Sequence, residues 1–414
     1  MQLDGRTVVV GLSGGIACYK ACEVVRLLTG AGARVPVIMT AGAQQFVTPL
    51  TLQTLSGQPV ATDTFDLTQE SEIGHIRLAD AAECLLIAPA TANMLAKLAT
   101  GIADDLLTTV ALATRARIVL APAMNVHMWE HPTVQENLAR LVTRGTRVIG
   151  PASGALACGY EGVGRLAEPA DIFEEVCAAL VPQDLAGEHL LVSAGPTQEP
   201  VDPVRYLSNR SSGKMGYALA RVARRRGAAV TLVSGPVGLP APAGVRLVTV
   251  ATAAEMASAI DAALAPATVV IMCAAVADYR PRRPAARKLK KTTESLTLEL
   301  EPTRDILAGL GSRKGQRLLV GFAAETHRVA EEARRKLRAK HLDLIVANDV
   351  SAPGAGFGGD TNVVRLLDTG SLDETLPVLP KDEVASRILD WVAARRSRST
   401  TRSTSRPSRL RRVR

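Results

Sequence analysis

Short apolar runs alternate with helical periodicity along the chain. Val8–Gly11 reads as a buried strand, Leu12–Gly15 as a small-residue turn, and residues from about Ile16 to Leu28 as a helix. Arg34–Thr40, Cys84–Ala88, Arg117–Ala121 and the short Arg147–Gly150 repeat the strand pattern. Residues 151–165 are rich in glycine and small side chains and read as a mobile flap. A helix over Ala170–Leu180 leads into a seam at 181–189, after which the pattern restarts. Leu190–Ala194, Ala229–Ser234, Val245–Val250, Thr268–Ala274, Ser295–Glu301, Arg317–Ala323, Leu342–Ala347 and Asn362–Leu367 read as strands. Helices are expected at Gly213–Arg226 and about 253–264, with a long loop at 195–212 and a basic, proline-containing loop at 277–291.

Strands alternating with helices predict parallel sheets covered on both faces. The expected class is α/β, with two domains at about 1–180 and 190–394. The first is expected to be a flavodoxin-like doubly wound parallel sheet and the second a Rossmann-like α/β domain.

The composition fits a globular chain of 414 residues, with 47% hydrophobic and 21% charged residues. That excludes a largely unfolded, collagen-like or disulfide-miniprotein chain. The net charge of +9 sits in one place. Residues 395–414 hold nine arginines and no acid, so the preceding 394 carry 40 basic against 40 acidic residues. This tail is expected to lack structure, since it has too little apolar surface to offset the entropy of ordering. With 3% aromatics the neutral body offers no stacking platform, so no specific nucleic-acid partner is expected. No apolar run of about 18 residues suggests a membrane span, and no signal-peptide pattern opens the chain. The six scattered cysteines then read as reduced thiols in a cytoplasmic protein.

In the first half, a strand running into GLSGG and a helix suggests a phosphate held at the helix N-terminus, with Ser13, Gly14 and Gly15 as its cradle. The pattern is not G-x-G-x-x-G, and the second strand ends in Met39-Thr40 without a ribose-binding acid. A mononucleotide fits better than a dinucleotide. Thr91 and Asn93, after the next strand end, can cap a helix or face a ligand; Asn125, ending APAMN, is a candidate amide clamp. His75 and Cys158, the latter in the flap, are candidate proton carriers. His127–His131 matches a zinc-protease pattern, but Pro132 directly after it breaks the helix such a site needs.

In the second half, Asn209, Ser211, Ser212, Gly213 and Lys214 precede a helix and make an anion site. It is not a Walker A loop, because Ser208 and Met215 stand where Gly and Ser or Thr are required. Asp278 ends a strand, with Lys288, Lys290 and Lys291 following: an acid for Mg²⁺ beside lysines for a polyphosphate.

The segments SGGIACYK (13–20), His75, 88–107, PAMNVHMW (122–129) and SGALACGYEGVGR (153–165) resemble the homo-oligomeric flavin-containing Cys decarboxylases. The second half resembles the phosphopantothenate–cysteine ligases fused to them in bacterial coenzyme A biosynthesis, and the likeness is colinear over roughly 5–392. For the first domain it implies FMN, held by Ser13, Gly14, Gly15, Thr40, Thr91 and Asn93. FMN would oxidise the cysteinyl group to a thioaldehyde, and CO₂ would leave to give an ene-thiolate. His75 matches the family's base, Asn125 the carboxylate clamp, and Cys158 the flap acid that protonates the ene-thiol.

For the second domain it implies CTP-dependent activation of phosphopantothenate to an acyl-cytidylate, from which L-cysteine displaces CMP. Arg205 and Asn209 match residues for that intermediate. Asp278, Lys288, Phe322, Lys336 and Lys340 match nucleotide contacts, with Asp278 toward Mg²⁺. Arg304, Asp305, Ile306 and Leu307 match a helix-start segment beside CTP, where this chain has Thr303-Arg304 in place of the family's usual Asn-Pro. The resemblance also implies homo-oligomers, with trimeric flavin domains and dimeric ligase domains, up to a dodecamer. A non-catalytic regulatory subunit on the same fold is the alternative, and the presence of His75, Asn125 and Cys158 argues against it.

Overall fold

The computed structural model describes residues 3–65, 74–155, 159–291, 295–325, 327–349 and 358–404. Contacts divide the chain into two units, Met1–Pro182 and Gln183–Arg414. Among the described residues no helix is long and apolar enough to cross a membrane, and no cluster of His, Cys, Asp and Glu converges as a metal site.

In the first unit β1 (Val8–Leu12), β2 (Val37–Met39), β3 (Val60–Ala61), β4 (Cys84–Ala90), β5 (Arg117–Pro122) and β6 (Arg147–Val148) form one sheet. Its order is β3-β2-β1-β4-β5-β6, all parallel. Without the two-residue edge strand β3, the order reduces to that of flavodoxin. The central strands β1 and β4 are apolar and buried along their whole length because both faces are covered. Val8, Val10 and Leu12 pack into one core with the helices Cys18–Gly30 and Pro169–Ala179, while Val9 packs into the other beside Met94 and Leu107.

The described residues of the glycine-rich stretch 151–165 include two strands rather than only a loop. β7 (Ala152–Ala155) and β8 (Glu161–Arg165) pair antiparallel. Their backbone groups are satisfied by each other, and Met124 N–H donates to Gly164 O at 2.9 Å. A Cβ on Gly164 would stand 2.3 Å from Met124 O, so only glycine permits this approach.

The second unit contains β9 (His189–Ala194), the β10 (Gln198–Pro200) and β11 (Tyr206–Ser208) hairpin, β12 (Ala229–Ser234), β13 (Arg246–Thr249) and β14 (Val269–Met272). β15 (Tyr279–Pro281), β16 (Leu300–Pro302), β17 (Leu318–Glu325) and β18 (Leu344–Asp349) follow. β19 (Thr361–Asn362), β20 (Val364–Asp368), β21 (Asp373–Thr375) and β22 (Leu379–Pro380) complete it. The main sheet runs β13-β12-β9-β14-β17-β18-β20-β21. Its first six strands are parallel, in the order of a Rossmann sheet, and β20 and β21 add antiparallel. The loops expected at 195–212 and 277–291 each carry hairpin strands, β10–β11 and β15 paired with β16.

The tail is also corrected in part. The last helix, Lys381–Thr404, runs ten residues into the segment expected to lack structure. Arg395 donates to Asp368 and lies over the Trp391 ring, and Arg396 donates to Glu188 at 2.9 Å. These arginines continue the helix because carboxylates of the folded unit await them. Residues 405–414 lie outside the described residues.

Candidate functional sites

Each sheet has its switch point where neighbouring strands leave in opposite directions, between β1 and β4 and between β9 and β14. The carboxyl ends of strands open a crevice at such points. Both units have a cavity there.

The first cavity, about 1060 Å³, is lined by Ser13, Gly14, Gly15, Thr40, Thr91, Asn93 and Asn125 together with hairpin residues Ala155, Gly164 and Arg165. The turn after β1 lies against the turn after β2: a Cβ on Gly14 would meet the Gly42 backbone at 2.9 Å. The amides of Gly14, Gly15 and Ile16 donate to no carbonyl among the described residues, which leaves them facing an anion at the helix start. This cradle fits the phosphate of a mononucleotide.

Ser13, on the lining, also has a structural part. Its hydroxyl donates to Pro89 O at 2.7 Å and accepts from Thr91 N–H at 3.0 Å. It ties the ends of β1 and β4 together and so sets the cradle. Thr91 caps the helix Ala92–Thr100, accepting from Met94 N–H, while Asn93 is exposed on the lining. Asn125 caps the short helix Val126–Glu130: its Oδ1 accepts from His127 N–H at 2.9 Å. That assigns the oxygen to the cap and the Nδ2 edge to donation. His131 caps the next helix, Pro132–Thr143, so the two histidines of the zinc-like pattern belong to different helices.

His75, on the helix Gly74–Ala81, is not on the lining; its Nδ1 is buried with no hydrogen-bond partner among the described residues. Cys158 lies outside the described residues. Sequence reasoning passed over Lys97, which lines the rim and pairs with Asp104 at 2.7 Å and Asp105 at 3.2 Å.

The second cavity, about 580 Å³, gathers Asn209, Ser211–Gly213, Lys214, Asp278, Arg304–Leu307, Phe322, Lys336 and Lys340. Residues from 209 to 340 in sequence thus meet at one strand edge. Asn209 Nδ2 donates to Ala275 O at 3.0 Å, which fixes it beside β14. Asp278 is exposed and forms no ion pair among the described residues, as a carboxylate reserved for a cation would be. Lys336 pairs with Glu325 and Lys340 with Asp305, at 2.7 and 2.8 Å. Asp305 also caps the helix Ile306–Gly311, accepting from Ala308 N–H at 2.9 Å. Burial raises its pKa, but Lys340 and the cap outweigh that and leave the carboxyl below its usual range. The helix therefore forms without the family's proline. The Arg304 guanidinium donates to Asp261 at 3.1 Å.

Two expected residues do not line this cavity. Arg205 grips Asp202 through Nε and Nη2, at 3.0 and 2.6 Å, and also donates to Leu289 O. Asp202 accepts from Leu289 N–H too, so the pair anchors the loop that carries the exposed Lys288. Arg205, foremost, together with backbone N–H groups, holds the Asp202 carboxyl far below the usual carboxylate range.

A flavoprotein family model matches residues 1–181, and a model for the DNA/pantothenate metabolism flavoprotein C-terminal domain matches 185–395. The chain is 49% identical over 406 residues to the coenzyme A biosynthesis bifunctional protein CoaBC of Bacillus subtilis (strain 168), covering 97% of this chain and 100% of the relative. It is 46% identical over 400 residues to the CoaBC protein of Escherichia coli (strain K12), covering 95% and 98%. A crystal structure of the FMN-dependent cysteine decarboxylase SpaF is 32% identical over 43% of this chain and 97% of that one, with a TM-score of 0.39. Two domain models in tandem and near-full-length identity to both relatives carry one conclusion: the chain belongs to the CoaBC family of bifunctional coenzyme A biosynthesis enzymes, which unite a phosphopantothenoylcysteine decarboxylase and a phosphopantothenate–cysteine ligase.

Proposed function

We propose that the second unit joins L-cysteine to 4′-phosphopantothenate at the expense of CTP, and that the first decarboxylates the product to 4′-phosphopantetheine, in the cytoplasm. The observation that carries this reading is the pair of switch-point cavities, one lined by Ser13–Gly15, Thr40, Thr91, Asn93 and Asn125 and the other by Asn209, Asp278, Arg304–Leu307, Phe322, Lys336 and Lys340.

In the first unit the Gly14–Ile16 amides hold the phosphate of FMN, with Thr40, Thr91 and Asn93 around the cofactor. FMN bound there would supply a two-electron acceptor and donor for the sulfur-bearing carbon, which would place the carboxylate β to an electron sink. The chain's own residues do the rest. Asn125 donates from Nδ2 to the carboxylate, neutral enough to let it depart as CO₂. His75 takes the proton, and Cys158 returns one to the ene-thiol. Since His75 is off the lining of its own cavity, this reading requires a homo-oligomer to complete the site, and the flavin domains are read as trimers.

In the second unit a phosphopantothenate carboxylate oxygen attacks the α-phosphorus of CTP and pyrophosphate leaves. Cysteine's amine then attacks the acyl carbon and CMP leaves. Asp278 holds Mg²⁺ against the triphosphate. Lys288, Lys336 and Lys340 neutralise its oxygens, Phe322 and Arg304–Leu307 border the nucleotide, and Asn209 with Arg205 attends the acyl-cytidylate. The ligase domains are read as dimers. The test is to supply purified protein with phosphopantothenate, cysteine, CTP and Mg²⁺. Phosphopantetheine, CO₂ and CMP should form in equal amounts, and CMP without cysteine-containing product would refute the reading.

A further inference from the structure

The ligase cavity contains a charge that none of the assigned residues accounts for. Lys381 opens the last helix, is 7% exposed and lines the cavity. Its Nζ donates to Gly359 O and, at 3.2 Å, to Thr361 O. An ammonium has three N–H donors, and these carbonyls take two. Asp360, the acid between them, pairs instead with Lys214 at 2.7 Å. Lys381 forms no ion pair among the described residues. Burial, then the like charge of Lys214, pushes its pKa below the ordinary lysine value. A buried ammonium without a counter-ion is costly, so the folded chain gains when an anion joins it.

Two neighbours point the same way. Asn362 is 4% exposed and lines the cavity, and its Oδ1 is buried with no hydrogen-bond partner among the described residues. The twelve-residue helix Lys214–Arg225 begins on the same lining, and its first N–H groups and dipole favour negative charge.

We propose that Lys381 binds a phosphate oxyanion of a ligase substrate, while Asn362 accepts from a hydroxyl of the same molecule. The proposal rests on the ligase reading above. Phosphate oxygens and hydroxyls occur together in both the nucleoside triphosphate and the phosphomonoester substrate, and the test separates them. Calorimetric titration of the full-length chain uses CTP with Mg²⁺, then phosphopantothenate, then inorganic tripolyphosphate. Lys381→Gln should weaken one of the first two ligands by about tenfold or more, as loss of a charge-assisted hydrogen bond does. Asn362→Asp, which supplies Lys381 with an internal counter-ion, should weaken the same ligand. An effect on CTP and tripolyphosphate assigns Lys381 to the nucleotide; an effect on phosphopantothenate alone assigns it to the phosphomonoester. A folded Lys381→Gln chain that binds all three within about twofold of the parent overturns the proposal. If Lys381→Gln does not fold, unchanged affinities in Asn362→Asp overturn it. A parent chain that binds neither substrate refutes the ligase reading itself, and the tripolyphosphate titration then still decides the role of Lys381.

Discussion

At the residue scale, single polar atoms serve two masters. Asn125 caps a helix through Oδ1, and its proposed role is to donate from Nδ2 to the substrate carboxylate. Asn125→Asp keeps a cap oxygen, since Asp is as good an N-cap, but replaces the donor with a negative charge facing the carboxylate. Decarboxylation should fall by about a hundredfold or more while the melting temperature stays put, because a removed donor of this kind typically costs that much. A steady-state assay beside a thermal melt checks both halves; an active variant would remove Asn125 from the site. Burial acts as strongly on thiols. It pushes Cys84 and Cys273 up to about 12, so at pH 8 both are neutral and poor nucleophiles. Iodoacetamide at that pH should leave both unmodified in the native protein and alkylate them after denaturation, as read by peptide mass spectrometry. What the sequence conveyed at this scale was residue type at a strand end. It conveyed neither Ser13 spending its hydroxyl on Pro89 nor the buried ammonium of Lys381, because both depend on partners 76 and about 20 positions away that no local pattern marks.

At the element scale, strand–turn–helix periodicity revealed nearly every strand of both main sheets, because a buried parallel strand is a continuous apolar run. The small hairpins were hidden. β7–β8, β10–β11 and β15 are short and partly polar, and read as loops, while β16 falls at the end of the strand expected at Ser295–Glu301. The turn after β1 was legible as a glycine-rich phosphate turn, though not the reason for its glycine. Gly14→Ala would drive a Cβ into the Gly42 backbone, so the two turns must part. The purified variant should lose its yellow flavin absorbance and its decarboxylase activity but keep ligation; a fully yellow variant would show that the cradle does not depend on that approach. The last helix makes a complementary prediction. Asp368 is held by Trp391 Nε1 at 3.1 Å and by Arg395. Truncation after Ser397 should be silent in both activities. Truncation after Ala394 removes Arg395 and Arg396 and leaves Asp368 and Glu188 short of partners. It should lower the melting temperature of the second unit by about 2–4 °C for each kcal/mol lost. Equal melting of the two truncations would deny the arginines that role.

At the scale of the whole molecule, two sheets of the same parallel order each open a cavity at the same topological position, and the chemistry differs because the strand-end residues differ. Each unit therefore carries its own cavity, and the two reactions should be separable by mutation. The neutral body holds every residue assigned a role, so removing the residues after Ser397 is expected to leave both reactions intact. The most direct measurement is the product balance of His75→Asn supplied with phosphopantothenate, cysteine, CTP and Mg²⁺. The account predicts that CMP and phosphopantothenoylcysteine accumulate at the parent rate while CO₂ release stops. Loss of CMP formation in the folded variant, or undiminished CO₂ release, would contradict it.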